Sequence, residues 1–322
     1  MAPSRRTLGR ALLLCSAAVG AAGLAAGTAV AATPATCALT PPATVNGGFE
    51  SPVVSGAGAF TAAAQTGWST DDPSGVLELW SIGASSAHTG SQFDELNATA
   101  NDRIWQAVAT TPGQTLLWRV AHRGRTGTDV MRAAAGPDAG AALSGATPLV
   151  PGFRDGTALA NGNPGAVNPA DLGDGNGAWS VWSGSYVVPA GQTATRFGFA
   201  NVSSAGGSGV GNFVDSVVVT SPAAACDDAA STVGAEPVVV DPLANDHGSN
   251  LTVALAAEPA HGTVTQDPAT HRFAYTAAPG YSGADSFTYT ATDDFARSDT
   301  ATVSVAVAAP PAPPAAPTTA PT

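Results

Sequence analysis

From residue 45 to residue 307 the chain sustains no helical hydrophobic repeat. Short runs of β-branched and aromatic residues alternate there with clusters of Gly, Pro, Asn and Asp. A run such as Leu77-Glu78-Leu79-Trp80 changes face at every residue, which is the period of a strand, and a turn cluster ends it within a few residues. The same pattern makes strands of Phe93 to Asn97, Ile104 to Ala109, Thr115 to His122, Ser180 to Val188, Thr195 to Asn201 and Asn212 to Thr220. The stretch from Gly136 to Gly177, rich in Gly, Asn, Asp and Pro, reads as long loops. The expected fold class is all-β, and 322 residues suit about two domains.

Charge narrows the partners. All basic residues are Arg, twelve of them against 24 Asp and Glu, for a net charge of −12. Nucleic acid and anionic membrane both need a positive surface, so neither is expected as a partner. Neutral ligands, cations and simple solubility stay open.

Residues 1–31 read as a signal peptide. Arg5, Arg6 and Arg10 form its positive region, Ala11 to about Ala26 its apolar segment, and Ala29-Val30-Ala31 its small-residue cleavage pattern. Ser4-Arg5-Arg6-Thr7-Leu8 looks like a twin-arginine motif, which leaves two export routes open. Without the leader nine Arg face 24 acids, or −15, and no further membrane insertion is expected. The expected localisation is secreted or extracellular, with cell-wall association open. At the other end, residues 309–322 are Pro-, Thr- and Ala-rich and read as a disordered tail, too simple in composition to bury a core.

Two cores lie between these ends. Residues 37–226 hold all six Trp, whereas 227–308 hold none and are rich in Thr and Val. Near the start of the first, Val45-Asn46-Gly47-Gly48-Phe49-Glu50-Ser51-Pro52, and near its end, Asn212-Phe213-Val214-Asp215-Ser216-Val217-Val218-Val219, carry a resemblance. With Glu78-Leu79-Trp80, Glu95-Leu96-Asn97-Ala98 and His122-Arg123-Gly124-Arg125 between them, they resemble the galactose-binding-like jelly rolls of carbohydrate-binding modules. That resemblance implies a β-sandwich whose first strand carries Glu50 and whose last carries Asp215. It also implies a structural Ca²⁺ between them, held by Glu50, Asp215 and carbonyls near Asn46 and Gly48; hard oxygen donors from two strands suit that ion. The competing reading has both carboxylates capping backbone amides. No organic cofactor is expected.

Three cysteines are present, and Cys15 falls inside the leader. The remaining two, Cys37 and Cys226, bracket the first domain, and a jelly roll places its first and last strands side by side, so a disulfide between them is expected in an oxidising compartment. Two free thiols are the alternative.

For a sugar, Glu78, Trp80, Glu95, Asn97, His122 and Arg125 are the right kinds of group: an aromatic platform with carboxylate, amide and guanidinium partners for hydroxyls. The alternative is a buried Glu–Arg–His network that fixes the sandwich. Catalysis finds no support: no nucleophile elbow and no His/Cys metal spacing occurs, and nothing requires Glu78 and Glu95 to flank a cleft.

In the second part, Asp241-Pro242-Leu243-Ala244-Asn245-Asp246, His261-Gly262-Thr263-Val264 and Pro279-Gly280-Tyr281-Ser282-Gly283-Ala284-Asp285-Ser286-Phe287-Thr288-Tyr289 come in an order that resembles the bacterial Ig-like, cadherin-like repeat. This implies a smaller sandwich over 227–308. Cadherin-type relatives bind Ca²⁺ at repeat junctions, for which Asp227, Asp228, Asn245, Asp246, Asp293 and Asp294 are candidates against ordinary turn and capping roles. The function expected is an exported, non-catalytic binding protein whose jelly roll takes an extracellular or cell-wall glycan while the Ig-like domain acts as a spacer. A structural or adhesive surface component, contacting protein or no ligand, is the rival.

Overall fold

The computed structural model describes residues 42–83, 86–96, 99, 102–138, 146–164 and 166–312. The signal peptide, Cys37, Asn97 and residues 313–322 of the tail lie outside the described residues. Two β-sandwiches follow one another along the chain.

The first sandwich faces an eight-stranded sheet against a six-stranded one. Edge to edge, the larger sheet runs Gly56–Ala62, Val76–Ser81, Phe93–Glu95, Phe213–Thr220, Thr115–Arg123, Ser180–Val187, Phe153–Arg154 and Thr157–Ala158. The smaller runs Asp171–Asp174, Asp129–Pro137, Ala194–Ser203, Arg103–Ala109 and Ser69–Thr70, and Thr147–Pro148 also pairs with Asp129–Pro137. Alternation along each strand sends one set of side chains inward. Leu77, Leu79, Trp118, Val120, Trp182 and Val214 from the larger sheet meet Ile104, Met131, Ala133, Phe197 and Phe199 from the smaller. The last long strand of this domain lies in the middle of the larger sheet, between Phe93–Glu95 and Thr115–Arg123, as in a jelly roll.

Two expectations need correction. Residues 45–52 form no strand; the first among the described residues is Gly56–Ala62. Asn46 and Phe49 adopt left-handed backbone, with φ of 51° and 55°, and the Asn46 side chain locks the turn by accepting from Ser51 N at 3.0 Å and donating to Thr66 O at 2.9 Å. The segment still lies beside the last strand, where Val217 N donates to Gly47 O at 2.8 Å. Nor is Gly136 to Gly177 all loop. It contributes Asp171–Asp174 and three two-residue strands, because pairing with Asp129–Pro137 and Ser180–Val187 supplies what the Gly- and Asp-rich composition lacks. Arg132 reinforces one such pairing with an ion pair to Asp171, 2.5 Å away.

The second sandwich has seven strands. A four-stranded sheet runs Asp228–Val233, Ser298–Ala308, Gly283–Thr292, Thr252–Ala257, and a three-stranded sheet runs Val238–Val240, Phe273–Ala277, Gly262–Gln266. Its first and last strands pair in parallel over six residue pairs. Phe273, Tyr275, Phe287, Tyr289, Val303 and Val305 fill its core, the inward alternation expected of them. Three of the acids considered for a junctional ion accept from the backbone. Asp293 accepts from Ala223 N, Phe295 N and Arg297 N, Asp246 from Cys226 N, and Asp227 from Thr302 N. Across the junction, Arg119 of the first domain pairs with Asp294 at 2.8 Å and lies 5.0 Å from the centre of the Phe295 ring.

Candidate functional site

Strand register decides which side chains share the outer face of the eight-stranded sheet. Glu78 stands opposite Phe60 and Glu95, Glu95 opposite Phe213, and Phe213 opposite Arg123. Trp80 stands opposite Phe93 in the neighbouring row. Four residues along the Arg123 strand, about 13 Å away, Arg119 stands opposite Ser183, which is itself opposite Phe153. The outer face therefore carries an aromatic and guanidinium cluster at one end and Arg119, Ser183 and Phe153 at the other, with the fully buried Ala121 and Asp215 between them.

At the cluster end Trp80 stacks on Phe93, with ring centres 6.4 Å apart and planes at 14°, and Phe93 meets Phe213 edge-on at 4.7 Å. Arg123 lies 4.8 Å from the Trp179 ring and 5.3 Å from that of Phe213, and Arg125 lies 4.6 Å from Trp80. The Trp179 indole N–H donates to Ser86 O at 3.0 Å, which ties the 86–92 loop over the cluster. Trp80, Trp179, Arg123 and Arg125 are half-buried, so each presents part of its surface.

Beneath them lie two carboxylates. Glu78 and Glu95 are only 7% and 1% exposed. Arg125 Nη1 donates to both oxygens of Glu95 at 2.9 and 2.8 Å, and Gly211 N donates to one of them at 2.6 Å. Burial, then the charge of Glu95, raises Glu78 to about 7 against the pull of Arg125. Burial also raises Glu95, with Arg125 and the Gly211 amide opposing. The two carboxyls face each other, and each disfavours the charged form of its neighbour. Gly58 covers Glu78: a Cβ there would sit 2.5 Å from Glu78 Oε1, and its φ of +69° favours glycine. Glu78 and Glu95 thus hold Arg125 flat over Trp80 and do not reach the surface themselves.

Of the other expected sugar contacts, Asn97 lies outside the described residues. His122 points into the core and is completely buried, with Nδ1 2.8 Å from Asp174 and Nε2 2.9 Å from Asn212 Oδ1. The reason is parity: His122 follows Trp118 and Val120 inward, opposite to Arg123. Trp182 donates to Asp174 at 2.6 Å and Arg154 reaches it at 2.5 Å. Burial would raise Asp174, but bonds from His122, Trp182 and Ser180 outweigh it and hold the carboxyl below its usual range. His122 belongs to this structural network. Arg123, Phe213, Trp179 and Phe60 were not singled out from the sequence, although Arg123 does lie on the opposite side of its strand from His122.

The residues expected to bind calcium form a loop clamp. Glu50 Oε1 accepts from Ser91 N at 2.7 Å and Gln92 N at 2.9 Å, and Oε2 from Ser91 Oγ at 2.8 Å. Asp215 Oδ2 accepts from His88 N and Thr89 N at 2.8 and 3.0 Å, and Oδ1 from Ser216 N at 2.5 Å. Asn46 O receives Phe49 N and the Trp68 indole. A Cβ on Gly90 would fall 2.1 Å from Glu50 Oε1, so the loop passes as close to the carboxylate as glycine permits. All four carboxylate oxygens already face donors, an arrangement that fits amide capping better than a cation shell, which needs free oxygens.

A groove of about 440 Å³ opens at the other end of the face, lined by Arg119, Val150, Phe153, Ser183 and Ser185 and closed by Phe295 and Arg297 of the second domain. Val150 and Phe153 are 51% and 41% exposed. Its volume lies within the range of ligand sites.

Fold and site define a two-domain, all-β protein with a half-exposed aromatic–Arg face on its first sandwich. The second sandwich is a bacterial Ig domain, whose family model matches residues 220–306. Among solved structures the chain is similar to the CBM22-1 and GH10 modules of an endo-1,4-beta-D-xylanase from Clostridium thermocellum complexed with xylohexaose. Identity there is 14%, the TM-score is 0.30, and the match covers 48% of this chain and 26% of that one. It is also similar to the CBM22-1 xylan-binding domain of Paenibacillus barcinonensis (9%, TM-score 0.32, 52% and 97%). A cyclase from Fischerella sp. TAU is similar at 15% identity (TM-score 0.31, 60% and 97%). Likeness at this level carries no argument about ligand or reaction. Comparison with curated proteins gives no match.

Proposed function

We propose that the chain is an exported, non-catalytic binding protein whose jelly roll takes a carbohydrate along the outer face of the eight-stranded sheet. The single observation that carries this reading is the face's display of half-exposed Trp80 and Arg125 at one end and Arg119, Ser183 and Phe153 at the other. It offers aromatic faces for the apolar side of a sugar and guanidinium and hydroxyl groups for its polar edge. The N-terminal pattern of residues 1–31 supports export, and the resemblance of the first domain to carbohydrate-binding modules supports the ligand class. The partner is an extracellular or cell-wall glycan, and the Ig domain displays the jelly roll away from its attachment.

The deep burial of Glu78, Glu95 and His122 favours the competing reading of a structural or adhesive component. Retention of the mature chain on immobilised plant and bacterial cell-wall polysaccharides separates the two. Binding that falls at least tenfold in Trp80→Ala and Arg125→Ala, with unchanged circular dichroism, supports the first. Absence of retention on every polysaccharide, or retention indifferent to both substitutions, removes it.

A further inference from the structure

Beyond the leader, nine arginines stand among 24 acids. Seven of the nine pair with a carboxylate. Among the described residues Arg123 and Arg297 pair with none, and both belong to the face described above. Arg123 stands in its aromatic end and Arg297 in the wall of its groove. Arg297 is exposed, so water serves its charge. Arg123 is half-buried, and burial is the one cause that moves it, to below the usual guanidinium value.

Three rings hold the Arg123 guanidinium, with centres 4.8 Å away for Trp179, 5.3 Å for Phe213 and 5.8 Å for Phe93. Rings stabilise a guanidinium through its flat faces and leave the N–H groups along its edge. Among the described residues those groups donate no hydrogen bond, and none of the nitrogens is sealed from solvent. The contrast with Arg125 is direct: it also lies over a ring, but its Nη1 is committed to both oxygens of Glu95. The rings themselves are fixed, Trp179 by its bond to Ser86 O and Phe93 by its edge-on contact with Phe213. Arg123 is therefore an oriented cation with its donor fork uncommitted.

We propose that Arg123 seats an oxyanion of the ligand, the carboxylate or phosphate of an acidic saccharide. This rests on the carbohydrate reading above and narrows it from glycans in general to charged ones. The fork matches two oxygens of one such group, while the Trp179 ring beside it offers a face to the sugar. The charge on the ligand is sparse. Nine arginines against 24 acids leave −15 beyond the leader, which repels a dense polyanion.

The test uses the mature two-domain chain and immobilised cell-wall polysaccharides in matched pairs. In one arm each uronic-acid polysaccharide stands beside its carboxyl-reduced form; in the other each phosphate-bearing glycan stands beside its dephosphorylated form. Expected is retention about tenfold or more stronger on the charged member in one arm, as one charge-assisted fork supplies, and that arm names the oxyanion. Arg123→Gln brings the two members level. Arg123→Lys keeps the charge over the rings without the fork and, as a second variant against misfolding, keeps only part of the preference. Arg272→Gln, which removes an exposed arginine of the Ig domain, keeps all of it. Equal retention on both members in both arms overturns this inference and leaves the carbohydrate reading standing, whereas no retention on any member removes both. A charge preference that survives Arg123→Gln also overturns it, because the anion then sits elsewhere.

Discussion

The two sandwiches differ in how often buried acids meet one another. In the Ig domain Asp285 receives Ala260 N, His261 N, Ser286 N and the Tyr275 hydroxyl, and Asp293 receives three amides, while Asp228 alone keeps an oxygen without a partner among the described residues. In the jelly roll several buried acids face one another. Glu78 meets Glu95, and Asp94 and Asp102 lie within electrostatic reach of each other. The first pattern fixes turns and adds stability. In the second, burial and neighbouring acids raise Glu78 and Asp94 above the usual carboxylate range.

The largest expected effect concerns how the first domain is closed. Cys226 is disulfide-bonded, and the partner proposed is Cys37, about 190 residues away. Reduction should lower the stability of the jelly roll by about 4–5 kcal/mol and leave the Ig domain largely unaffected. Tryptophan fluorescence reads the jelly roll alone, since all six Trp lie there, and a non-reduced peptide map shows whether Cys37 is the partner.

On the scaffold side, Asp285→Ala strands four donors, one of them the hydroxyl of the fully buried Tyr275. It should cost about 3–4 kcal/mol, measured by urea unfolding followed through hydrogen exchange of residues 227–308. A loss below 1 kcal/mol would erase the contrast drawn above.

Titration sharpens it further. Asp102 is raised to about 8, Glu78 to about 7 and Asp215 to about 6, burial being the leading cause of each. Raised carboxyls take up protons on folding. Their contribution is therefore complete below about pH 4, where the unfolded carboxyls are protonated too, and lost progressively as pH climbs from there through the folded values. The Ig domain has Asp228, raised to about 7, and Asp246 in the same sense. Its lowered acids, Asp285 and Asp294, lose their contribution only below about pH 4. Between pH 5 and pH 8 in EGTA, the jelly roll should lose about 5–10 °C in melting temperature and the Ig domain less than half as much. Equal losses would place the raised carboxyls in both domains alike.

The smallest effect is at the junction. Arg119→Ala removes a partly exposed ion pair with Asp294 and a contact with Phe295, worth about 1 kcal/mol or less. It should loosen the domains without unfolding either, seen as a wider distribution in small-angle scattering.

Much of this architecture could be read from alternation alone. Trp118, Val120 and His122 share a side because they are two residues apart, and Phe273, Tyr275, Phe287 and Tyr289 do so for the same reason. Strands poor in β-branched and aromatic side chains escaped: Gly56–Ala62 sets only Phe60 and Thr61 among Gly and Ala, Asp129–Pro137 has only Val130, and both exist because partners pair with them. The site was half legible. Parity brings Glu78, Trp80 and Glu95 to one face, but only the folded chain shows that Gly58 and Arg125 cover the two acids, because those contacts join segments 20 to 30 residues apart. Asp94 was visible in principle, an acid at an inward position between Phe93 and Glu95.

The parallel pairing of Asp228–Val233 with Ser298–Ala308 has a mechanical consequence. A pull applied to the two ends of this domain draws these two strands along their own axes in opposite directions. The load then falls on all six pairs at once, as shear, instead of peeling them one by one. A domain joined in this way resists flow and tension better than its equilibrium stability alone implies.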